Sequence, residues 1–305
     1  MKILVVGCNG MVGKSICKVA TSYGHEVIGL CRKDADFTNL EQTRTAINNI
    51  SPKPDWVILS AAKVGGIIAN MNYPVEFGED NVLISTNIMK ITKEAGIKNL
   101  LFLASSCIYP RLASQPMKEE ELLTGLLEPT NELYALSKIF GLKMCQAYAK
   151  EYGLNFISVM PPNLYGENDN YTDSGHVVSG MIKKFHKAKI NNDKEVICWG
   201  DGSTMRELMY VDDMADACMF VINNYKDTTS FINIGTGTDV TIKELSLLVK
   251  DVVGYEGNIV WDTTKPNGMP RKVLNVSKLK ELGWVYKTKL KEGLQLSYNW
   301  YIQNK

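Results

Sequence analysis

The stretch KILVVGCNGMVGKS, residues 2–15, decides the fold of this chain. Lys2–Val6 has the apolar run of a buried strand, and the apolar spacing of Met11–Tyr23 predicts a helix. Three glycines occupy the turn between them at three-residue intervals, namely Gly7, Gly10 and Gly13. Glycine has no Cβ, so backbone can approach a pyrophosphate, and the N-terminus of the next helix attracts the negative charge. The stretch therefore predicts a dinucleotide-binding turn.

Strands alternate with helices along the whole first half of the chain. The predicted strands are Lys2–Val6, Glu26–Leu30, Trp56–Ser60, Leu100–Ala104 and Asn155–Met160. The predicted helices are Met11–Tyr23, Leu40–Ile50, Pro74–Ala95 and Asn131–Tyr152. Because parallel strands need crossover connections, this alternation predicts an α/β fold with a Rossmann-type, doubly wound parallel sheet.

The pattern is weaker after Met160. Residues 161–175, PPNLYGENDNYTDSG, read as a loop. Predicted helices follow at Val177–Lys189, Asp212–Asn223, Ile242–Val253, Val276–Leu282 and Lys291–Tyr301, with short strands at Val196–Trp199, Leu208–Tyr210 and Phe231–Ile234. We predict a first domain over residues 1–162 and a smaller α/β C-terminal lobe over 163–305, with the chain returning to the first domain at about 208–235.

Composition excludes several classes of protein. The chain has 305 residues, 45% of them hydrophobic, and a net charge of +1, so neither a nucleic-acid surface nor a membrane surface is expected. Seven scattered cysteines and three histidines, without a CxxC motif, argue against a metal site or a disulfide framework. The chain starts directly with a strand, which argues against a signal peptide. A cytoplasmic protein with reduced thiols is the simplest interpretation.

Two cations follow the second predicted strand, where dinucleotide-binding proteins choose between cofactors. An acidic residue there would bind the ribose 2′-hydroxyl of NAD, but the sequence reads Leu30-Cys31-Arg32-Lys33-Asp34. Arginine and lysine suit a 2′-phosphate, so we favour NADPH/NADP over NAD. Alternatively, Arg32 and Lys33 are solvated surface cations. Asp36, a little further along the chain, is a candidate contact to the adenine.

A second motif, NELYALSK, places Tyr134 four residues before Lys138 on one helix face. An ammonium beside a phenol favours the phenolate, so this spacing predicts a tyrosine acid that works near neutral pH. Ser105 stands at the end of the fourth predicted strand, on the edge where open α/β sheets bind ligands. Together these residues predict a carbonyl reductase that uses a nicotinamide cofactor.

These features resemble the extended short-chain dehydrogenase/reductase family and, within it, the GDP-L-fucose synthases. The similar blocks cover nearly the whole chain and are AAKVGGI (Ala61–Ile67), SSCIYP (Ser105–Pro110), EPTNELYALSK (Glu128–Lys138), PPNLYG (Pro161–Gly166), SGHV (Ser174–Val177) and MRELMYVDDMA (Met205–Ala215). The resemblance implies 3,5-epimerisation and 4-reduction of GDP-4-keto-6-deoxy-D-mannose to GDP-L-fucose with NADPH.

The resemblance also implies residue roles. Cys107 is expected to be the base and His176 the acid of the epimerisations, and a thiolate and an imidazole both titrate near neutral pH. Tyr134 would protonate the C4 oxygen, Ser105 would hydrogen-bond it, and Lys138 would hold the nicotinamide ribose. Ser106 is a possible substitute for its neighbour Ser105.

Binding residues carried over from the resemblance fall into two sets. The cofactor set is Gly7, Asn9, Gly10, Met11, Val12, Arg32, Lys33, Asp36, Ala61, Ala62, Tyr134, Lys138, Pro161, Asn163, Leu164 and His176. The substrate set is Val64, Ser106, Cys107, Asn163, Lys184, Trp199, Arg206 and Lys272, with Gly65 and Asn70 as further candidates. Two positions depart from the family pattern, since Asn9 replaces a basic residue and Lys184 replaces a common arginine. Trp199 is equally compatible with a core position.

Other functions stay open at this point. One is a C4 reductase, with or without epimerisation, of a related GDP-4-keto sugar such as a heptose. Another is a C4 epimerase with tightly held NAD that acts on a different nucleotide sugar. A third is a non-enzymatic, dinucleotide-sensing regulatory module on the same fold. The resemblance further implies a homodimer, with the helices Pro74–Ala95 and Asn131–Tyr152 as the expected interface.

Overall fold

A computed structural model of the chain describes residues 1–172, 175–265 and 269–305. Its first half contains the predicted alternation of strands and helices. The elements are β1 (Lys2–Val6), α1 (Met11–Ser22), β2 (Glu26–Leu30), α2 (Leu40–Asn48), β3 (Trp56–Leu59), α3 (Ile67–Asn72), α4 (Pro74–Glu94), β4 (Asn99–Leu103), α5 (Glu132–Tyr152) and β5 (Asn155–Met160). Each predicted strand and helix of this half is confirmed within two residues, and the short helix α3 was not predicted.

The second half has more strands than the sequence indicated. Its elements are β6 (Asn163–Tyr165), α6 (Val177–Asn191), β7 (Glu195–Trp199), β8 (Met205–Tyr210), α7 (Val211–Asn224), β9 (Ile232–Asn233), β10 (Asp239–Thr241), α8 (Ile242–Val253), β11 (Asn258–Asp262), β12 (Arg271–Lys272), α9 (Ser277–Glu281) and α10 (Leu290–Asn304). Strand β6 lies in the segment that was predicted to be a loop. That prediction was wrong because a strand of three residues is too short for a periodic signal.

The main sheet confirms the doubly wound α/β prediction. Within the described residues it has six parallel strands in the order β2-β1-β3-β4-β5-β9. Helices α1 and α7 pack together on one face, and α2, α4 and α5 pack on the other. The carboxyl ends of β1, β3, β4 and β5 therefore open at one edge, where such sheets bind ligands.

Local sequence explains how the long helix that carries the Tyr/Lys pair is bounded. A short 3-10 helix, Pro129–Asn131, leads into α5. Gly153 ends α5 in the left-handed conformation with φ of 65°, which glycine adopts without a Cβ clash. The helix packs against α4, and its buried face includes Lys138, which is only 5% exposed.

The remaining strands build a second lobe around its own core. β8 pairs with β6 and β12 in parallel and with β10 in antiparallel fashion, and β7 pairs with β11. Helices α6, α8 and α10 cover these strands. This arrangement puts residues of β8 and β12 next to the loop that follows β4. None of the described helices is long and apolar enough to cross a membrane.

The chain returns to the first core twice. The first return begins near the end of β8, where Met209 packs in the core of the first sheet, and it ends with β9 pairing on β5. A second return, which was not predicted, buries Leu279 and Trp284 in the core of the first sheet. The division of the chain at residue 162 stays a prediction.

Candidate active site

The glycine turn after β1 leaves room for backbone and for a negatively charged group. Gly7 has φ of +96°, and a Cβ there would lie 2.6 Å from the backbone nitrogen of Ala61. A Cβ on Gly13 would lie 2.1 Å from the carbonyl oxygen of Gly7. A Cβ on Gly10 would make only an ordinary contact, 3.7 Å from the carbonyl oxygen of Gly7. Gly10 precedes α1 without a side-chain cap, so the first N–H groups of α1, at Met11 and Val12, face the turn. This cradle fits a dinucleotide pyrophosphate.

The adenosine end of this groove combines exposed cations with an unpredicted carboxylate. Arg32 and Lys33 are exposed in the turn after β2. The same turn folds Asp34 back, so that its carboxylate accepts a hydrogen bond of 2.8 Å from the backbone N–H of Cys31. The sequence showed no acidic residue at the strand end, and only the turn brings one there. Asn9 donates to the Cys31 sulfur at 3.1 Å, so its amide lies beside the cations.

The carboxylate of Asp36, a candidate adenine contact, forms hydrogen bonds with a residue close to it in sequence. Its carboxylate accepts hydrogen bonds from the backbone N–H and the hydroxyl of Thr38, at 3.0 and 2.7 Å. The other end of the groove lies at the tips of β3 and β5, where the sequence placed Ala61, Ala62, Pro161, Asn163 and Leu164. The carbonyl of Pro161 accepts a hydrogen bond of 3.1 Å from the backbone N–H of Ser106, which ties the tips of β4 and β5 together.

The structure brings Tyr134 next to Ser105 but corrects the expected effect of Lys138. The Lys138 ammonium donates to the carbonyl of Leu103 at 3.0 Å and lies 5.8 Å from the centre of the Tyr134 ring. Burial raises the pKa of Tyr134, the Cys107 charge raises it further, and a hydrogen bond with Ser105 only partly offsets this. Burial also lowers the pKa of Lys138 to about 8. Tyr134 is therefore held as a protonated phenol, because desolvation outweighs a cation that does not touch it.

Ser105 rather than Ser106 faces the reaction centre. The Ser105 hydroxyl caps the short 3-10 helix Ser106–Ile108 and accepts a hydrogen bond of 3.2 Å from the backbone N–H of Cys107. Ser106 is 3% exposed. The predicted substitution of Ser105 by Ser106 therefore has no support in the position of the two side chains.

Cys107 is a thiol with two nitrogen donors on its sulfur. Lys272 Nζ and Asn131 Nδ2 each lie 3.2 Å from Sγ. Burial alone raises the pKa of the Cys107 thiol, but the Lys272 charge and the hydrogen bonds from Ser105, Lys272 and Asn131 outweigh burial, so the pKa lies below its usual value. The site thus stabilises a thiolate, which is a base.

Asn131 is a site residue that sequence reasoning missed. It ends the 3-10 helix before α5, and its Oδ1 is buried without a hydrogen-bond partner among the described residues. The residue lies three positions before Tyr134, inside the block EPTNELYALSK, and that proximity was the signal available. Its amide can donate to the Cys107 sulfur because the start of α5 lies next to the loop after β4.

The His176 ring lies next to a carboxylate, whereas the Cys107 sulfur lies next to a cation. It precedes α6, its side chain is 43% exposed, and its Nδ1 lies 3.5 Å from Oδ1 of the buried Asp169. The hydrogen bond with Asp169 raises the pKa of His176 above its usual value, against the opposing effect of burial. Asp169 was not predicted, because it lies in a segment that reads as a loop. Ser174 of the SGHV block lies outside the described residues.

The predicted substrate contacts of the second lobe are spread over its exposed edge. Trp199, at the end of β7, is 53% exposed, so its ring is not part of the core. Lys184 is exposed on α6, and its ammonium donates to the carbonyl of Ile197 at 2.8 Å. Arg206 is partly buried on β8, and its guanidinium donates to the carbonyl of Met205 at 2.7 Å. Val64 is exposed after β3, in the loop that leads to α3.

Two predicted contacts have other partners in the structure. Asn70 is buried, and its amide donates to the carbonyls of Gly65 and Gly66, so it holds the loop after β3. Lys272 lies on the sulfur of Cys107 and not on the outer edge of the lobe. Its pairing with Arg206 in the register of β12 and β8 puts both cations on one side of the thiol.

Comparison with known proteins agrees with this geometry. The family model of the NAD dependent epimerase/dehydratase family matches residues 3–235. The chain belongs to this family. It is 48% identical to GDP-L-fucose synthase 1 from Arabidopsis thaliana, over 99% of this chain and 94% of the relative. It is 44% identical to GDP-L-fucose synthase from Escherichia coli K12, over 99% of this chain and 97% of the relative.

A solved member of this family superimposes over almost the whole chain. It is a GDP-mannoheptose C4 reductase from Campylobacter jejuni with NADP bound, which matches with a TM-score of 0.89 and 32% identity over 99% of this chain and 98% of that one. The glycine turn and the Tyr/Lys pair suit a fucose synthase and a heptose reductase alike, so these features alone do not distinguish the two.

Proposed function

We propose that the protein converts GDP-4-keto-6-deoxy-D-mannose into GDP-L-fucose by 3,5-epimerisation followed by NADPH-dependent 4-reduction. One observation carries the proposal. The Cys107 thiol, paired with an ammonium, lies beside the Ser105–Tyr134 pair, and the His176 imidazole, paired with a carboxylate, lies close enough to Cys107 to respond to its charge. A simple ketone reductase needs the serine, the tyrosine and the lysine, but it has no use for an added base and an added acid.

The first stage moves protons on carbon. The 4-keto group acidifies the C–H bonds at C3 and C5, and the Cys107 thiolate removes a proton to give an enolate. Ser105 and Tyr134 donate hydrogen bonds to the enolate oxygen. The His176 imidazolium then delivers a proton to the opposite face of the same carbon. Cys107 ends as a thiol and His176 as a neutral imidazole, so both exchange a proton with solvent before the second inversion.

The second stage reduces C4. NADPH supplies the hydride that adds to the carbonyl carbon. Tyr134 gives its phenolic proton to the oxygen as negative charge develops there, and Ser105 keeps its hydrogen bond to that oxygen. The raised pKa of Tyr134 keeps the proton on the phenol until the hydride arrives. Lys138, buried behind Tyr134, binds the nicotinamide ribose.

Isotope incorporation tests the proposed function directly. The purified protein is incubated with NADPH and GDP-4-keto-6-deoxy-D-mannose in deuterated water, and the product is analysed by NMR. We expect GDP-L-fucose with deuterium at both C3 and C5. A reduced product without deuterium at these carbons would refute the epimerisations and leave a C4 reductase.

A second candidate is C4 reduction of a related GDP-4-keto sugar such as a heptose. The similarity to the Campylobacter jejuni reductase favours it, and so does Lys184, a lysine where the resemblance leads us to expect an arginine. The same NMR assay with the GDP-4-keto-heptose distinguishes the two. A higher kcat/KM with the heptose than with the 6-deoxyhexose would favour this candidate.

The cofactor preference rests on Arg32 and Lys33. Both are exposed where the 2′-phosphate of NADPH would lie, and Asn9 adds an amide beside them. We expect Arg32→Ala to weaken NADPH binding at least tenfold and to leave NADH binding unchanged, because only NADPH carries the phosphate. Isothermal titration with both cofactors measures this. An equal loss for the two would show that Arg32 does not bind the 2′-phosphate specifically.

The assembly is proposed to be a homodimer. Leu133, Leu136 and Phe140 follow helical spacing along α5 and are exposed, as are Val75 and Leu83 on the neighbouring α4. A two-fold contact between these helices would bury this apolar face. We expect light scattering to give the mass of two chains for the wild type and of one chain for Phe140→Glu.

The cytoplasm is the proposed site of action. All seven cysteines are free thiols in the structure, as expected for a reducing compartment. Cys107 in particular must stay reduced to act as a base.

A further inference from the structure

Lys272 reaches the reaction centre from the far end of the chain. It lies on β12 of the second lobe, whereas Cys107 follows β4 of the first sheet, and 165 residues separate them in sequence. Its Nζ lies 3.2 Å from the Cys107 sulfur. This is the distance of a charge-assisted contact and leaves no room for a sugar or a phosphate between the two atoms.

We propose that Lys272 is a positioning residue whose ammonium holds Cys107 as a thiolate before the substrate binds. The second lobe thereby completes a base whose sulfur belongs to the first lobe. The use of this thiolate in epimerisation rests on the proposed function, but its existence does not. Lys272 therefore has a different role from the substrate contact that the sequence predicted.

Two other cysteines show what burial alone does to a thiol here. Cys145 and Cys218 are buried in the two cores of the first sheet, and burial raises the pKa of each to about 12. Cys107 also experiences a large effect of burial, yet its pKa lies below the usual value. The difference is the pair of nitrogen donors at 3.2 Å, of which only Lys272 carries a full charge.

Other charged and titratable groups face Cys107 from neighbouring elements. They are Arg206 on β8, Tyr134 and Lys138 on α5, and His176 before α6. Burial lowers the pKa values of Lys138 and Arg206, and the charge on Cys107 opposes this effect. The hydrogen bond with Asp169 raises the pKa of His176, and the charge on Cys107 adds to the increase. The charge of Lys272 is the largest of the effects that lower the pKa of Cys107.

The backbone around Lys272 is fixed before any ligand arrives. The buried carboxylate of Glu207 accepts a hydrogen bond of 2.7 Å from the N–H of Leu274. The side-chain oxygen of Gln115 accepts one of 3.0 Å from the N–H of Val273, and the Val273 carbonyl accepts one of 2.8 Å from the N–H of Met117. Strand β12 is thus held from both sides, so the ammonium is preorganised and costs little entropy to place.

The pH dependence of thiol alkylation tests this proposal without any sugar. Free enzyme is treated with iodoacetamide at a series of pH values, and mass spectrometry follows the peptide that contains Cys107. We expect Lys272→Met to shift the midpoint upward by at least one pH unit, so that the rate at pH 7 falls about tenfold. Lys272→Arg keeps the charge and should keep most of the wild-type rate.

Arg271 offers a matched control on the same strand. Its guanidinium pairs with Asp239 and is exposed, so Arg271→Met removes one cation from β12 without touching the thiol. The midpoint for this variant should stay within about 0.3 pH units of the wild type. Melting temperatures report whether each variant folds. If Lys272→Met does not fold, Lys272→Gln compared with Lys272→Arg provides the same test.

An unchanged alkylation midpoint in a folded Lys272→Met or Lys272→Gln variant would overturn the proposal. A raised KM for the GDP sugar together with that unchanged midpoint would assign Lys272 to substrate binding instead. Because alkylation needs neither substrate nor cofactor, a shifted midpoint supports the proposal even if the isotope assay rejects the epimerisations.

Discussion

Cys107 and His176, the two residues that we propose transfer protons, have surroundings of opposite charge. Cys107 lies at the end of a buried strand with an ammonium and an amide on its sulfur. His176 lies at the start of a helix in the other lobe, 43% exposed, with a buried carboxylate beside its ring. The first environment lowers the pKa of a group that is normally a neutral thiol, and the second raises the pKa of a group that is normally a neutral imidazole.

The difference in surrounding charge explains why Cys107 is the proposed base and His176 the proposed acid. At neutral pH a thiol and an imidazole are both mostly uncharged, so the residue types alone do not choose between them. Lys272 shifts Cys107 toward the proton acceptor, and Asp169 shifts His176 toward the proton donor. Which residue accepts the proton and which donates it therefore depends on the charged partners, Lys272 and Asp169, and not on the two residue types themselves.

The largest expected effect is that of Tyr134→Phe, which should slow the reduction far more than the proton transfers by Cys107 and His176. Tyr134→Phe removes the phenolic proton, so we expect NADPH oxidation to fall about 10⁴-fold. Cys107 and His176 are untouched, so deuterium exchange at C3 and C5 should fall no more than about tenfold. Absorbance at the NADPH band and NMR measure the two rates, with Tyr152→Phe at the exposed end of α5 as the control. An equal loss of both would contradict the separation.

Cys107→Ser should have the next largest effect. An alcohol beside Lys272 does not ionise near neutral pH, so we expect deuterium exchange to fall about 10³-fold. NMR of the sugar in deuterated water measures the exchange. Cys17→Ser in α1 is the control, since that thiol lies in another part of the molecule. Exchange at the wild-type rate in Cys107→Ser would remove Cys107 from the role of base.

His176→Gln should lower the rate less than Cys107→Ser does, because the proposed base, Cys107, remains. We expect inversion to slow about 10²-fold while Cys107 still exchanges a proton on its own face. NMR would then detect deuterium in sugar that has kept its configuration. His25→Gln, far from the site, is the control. Loss of all exchange in His176→Gln would show instead that the histidine removes the first proton.

Asp169→Asn should have the smallest effect, about tenfold at pH 8, and a characteristic pH profile. The carboxylate holds the pKa of His176 above 6.5, and only the protonated imidazole donates. Without it the pKa falls, so the limb of the kcat/KM profile that reports His176 should move to lower pH while the limb that reports Cys107 stays in place. Movement of both limbs would indicate a general structural change.

The glycine turn and the strand ends beside it could be predicted in detail. Their residues are contiguous in sequence, and a parallel sheet brings all such strand ends to one edge. The substrate half of the site was less predictable. Asn131 is the first residue of a predicted helix and Asp169 lies in a segment that reads as a loop, and neither position indicates a contact with Cys107 or His176. The local use of Asn70 depends on the loop after β3. The pKa of Tyr134 is raised by burial, whereas the Tyr134–Lys138 spacing suggested a lowered pKa, because spacing does not report burial.

By itself, the sequence determined the α/β sheet and the dinucleotide turn, and it predicted which side chains react. These follow from periodicity and from the chemistry of each residue, which are local properties. Only the tertiary structure decided the protonation of those side chains. Lys272 reaches Cys107 across 165 residues, and burial of Tyr134 depends on how α4, α5 and the loop after β4 pack together. Charge and desolvation act through space, so the choice of base and acid depends on contacts that exist only in the folded chain.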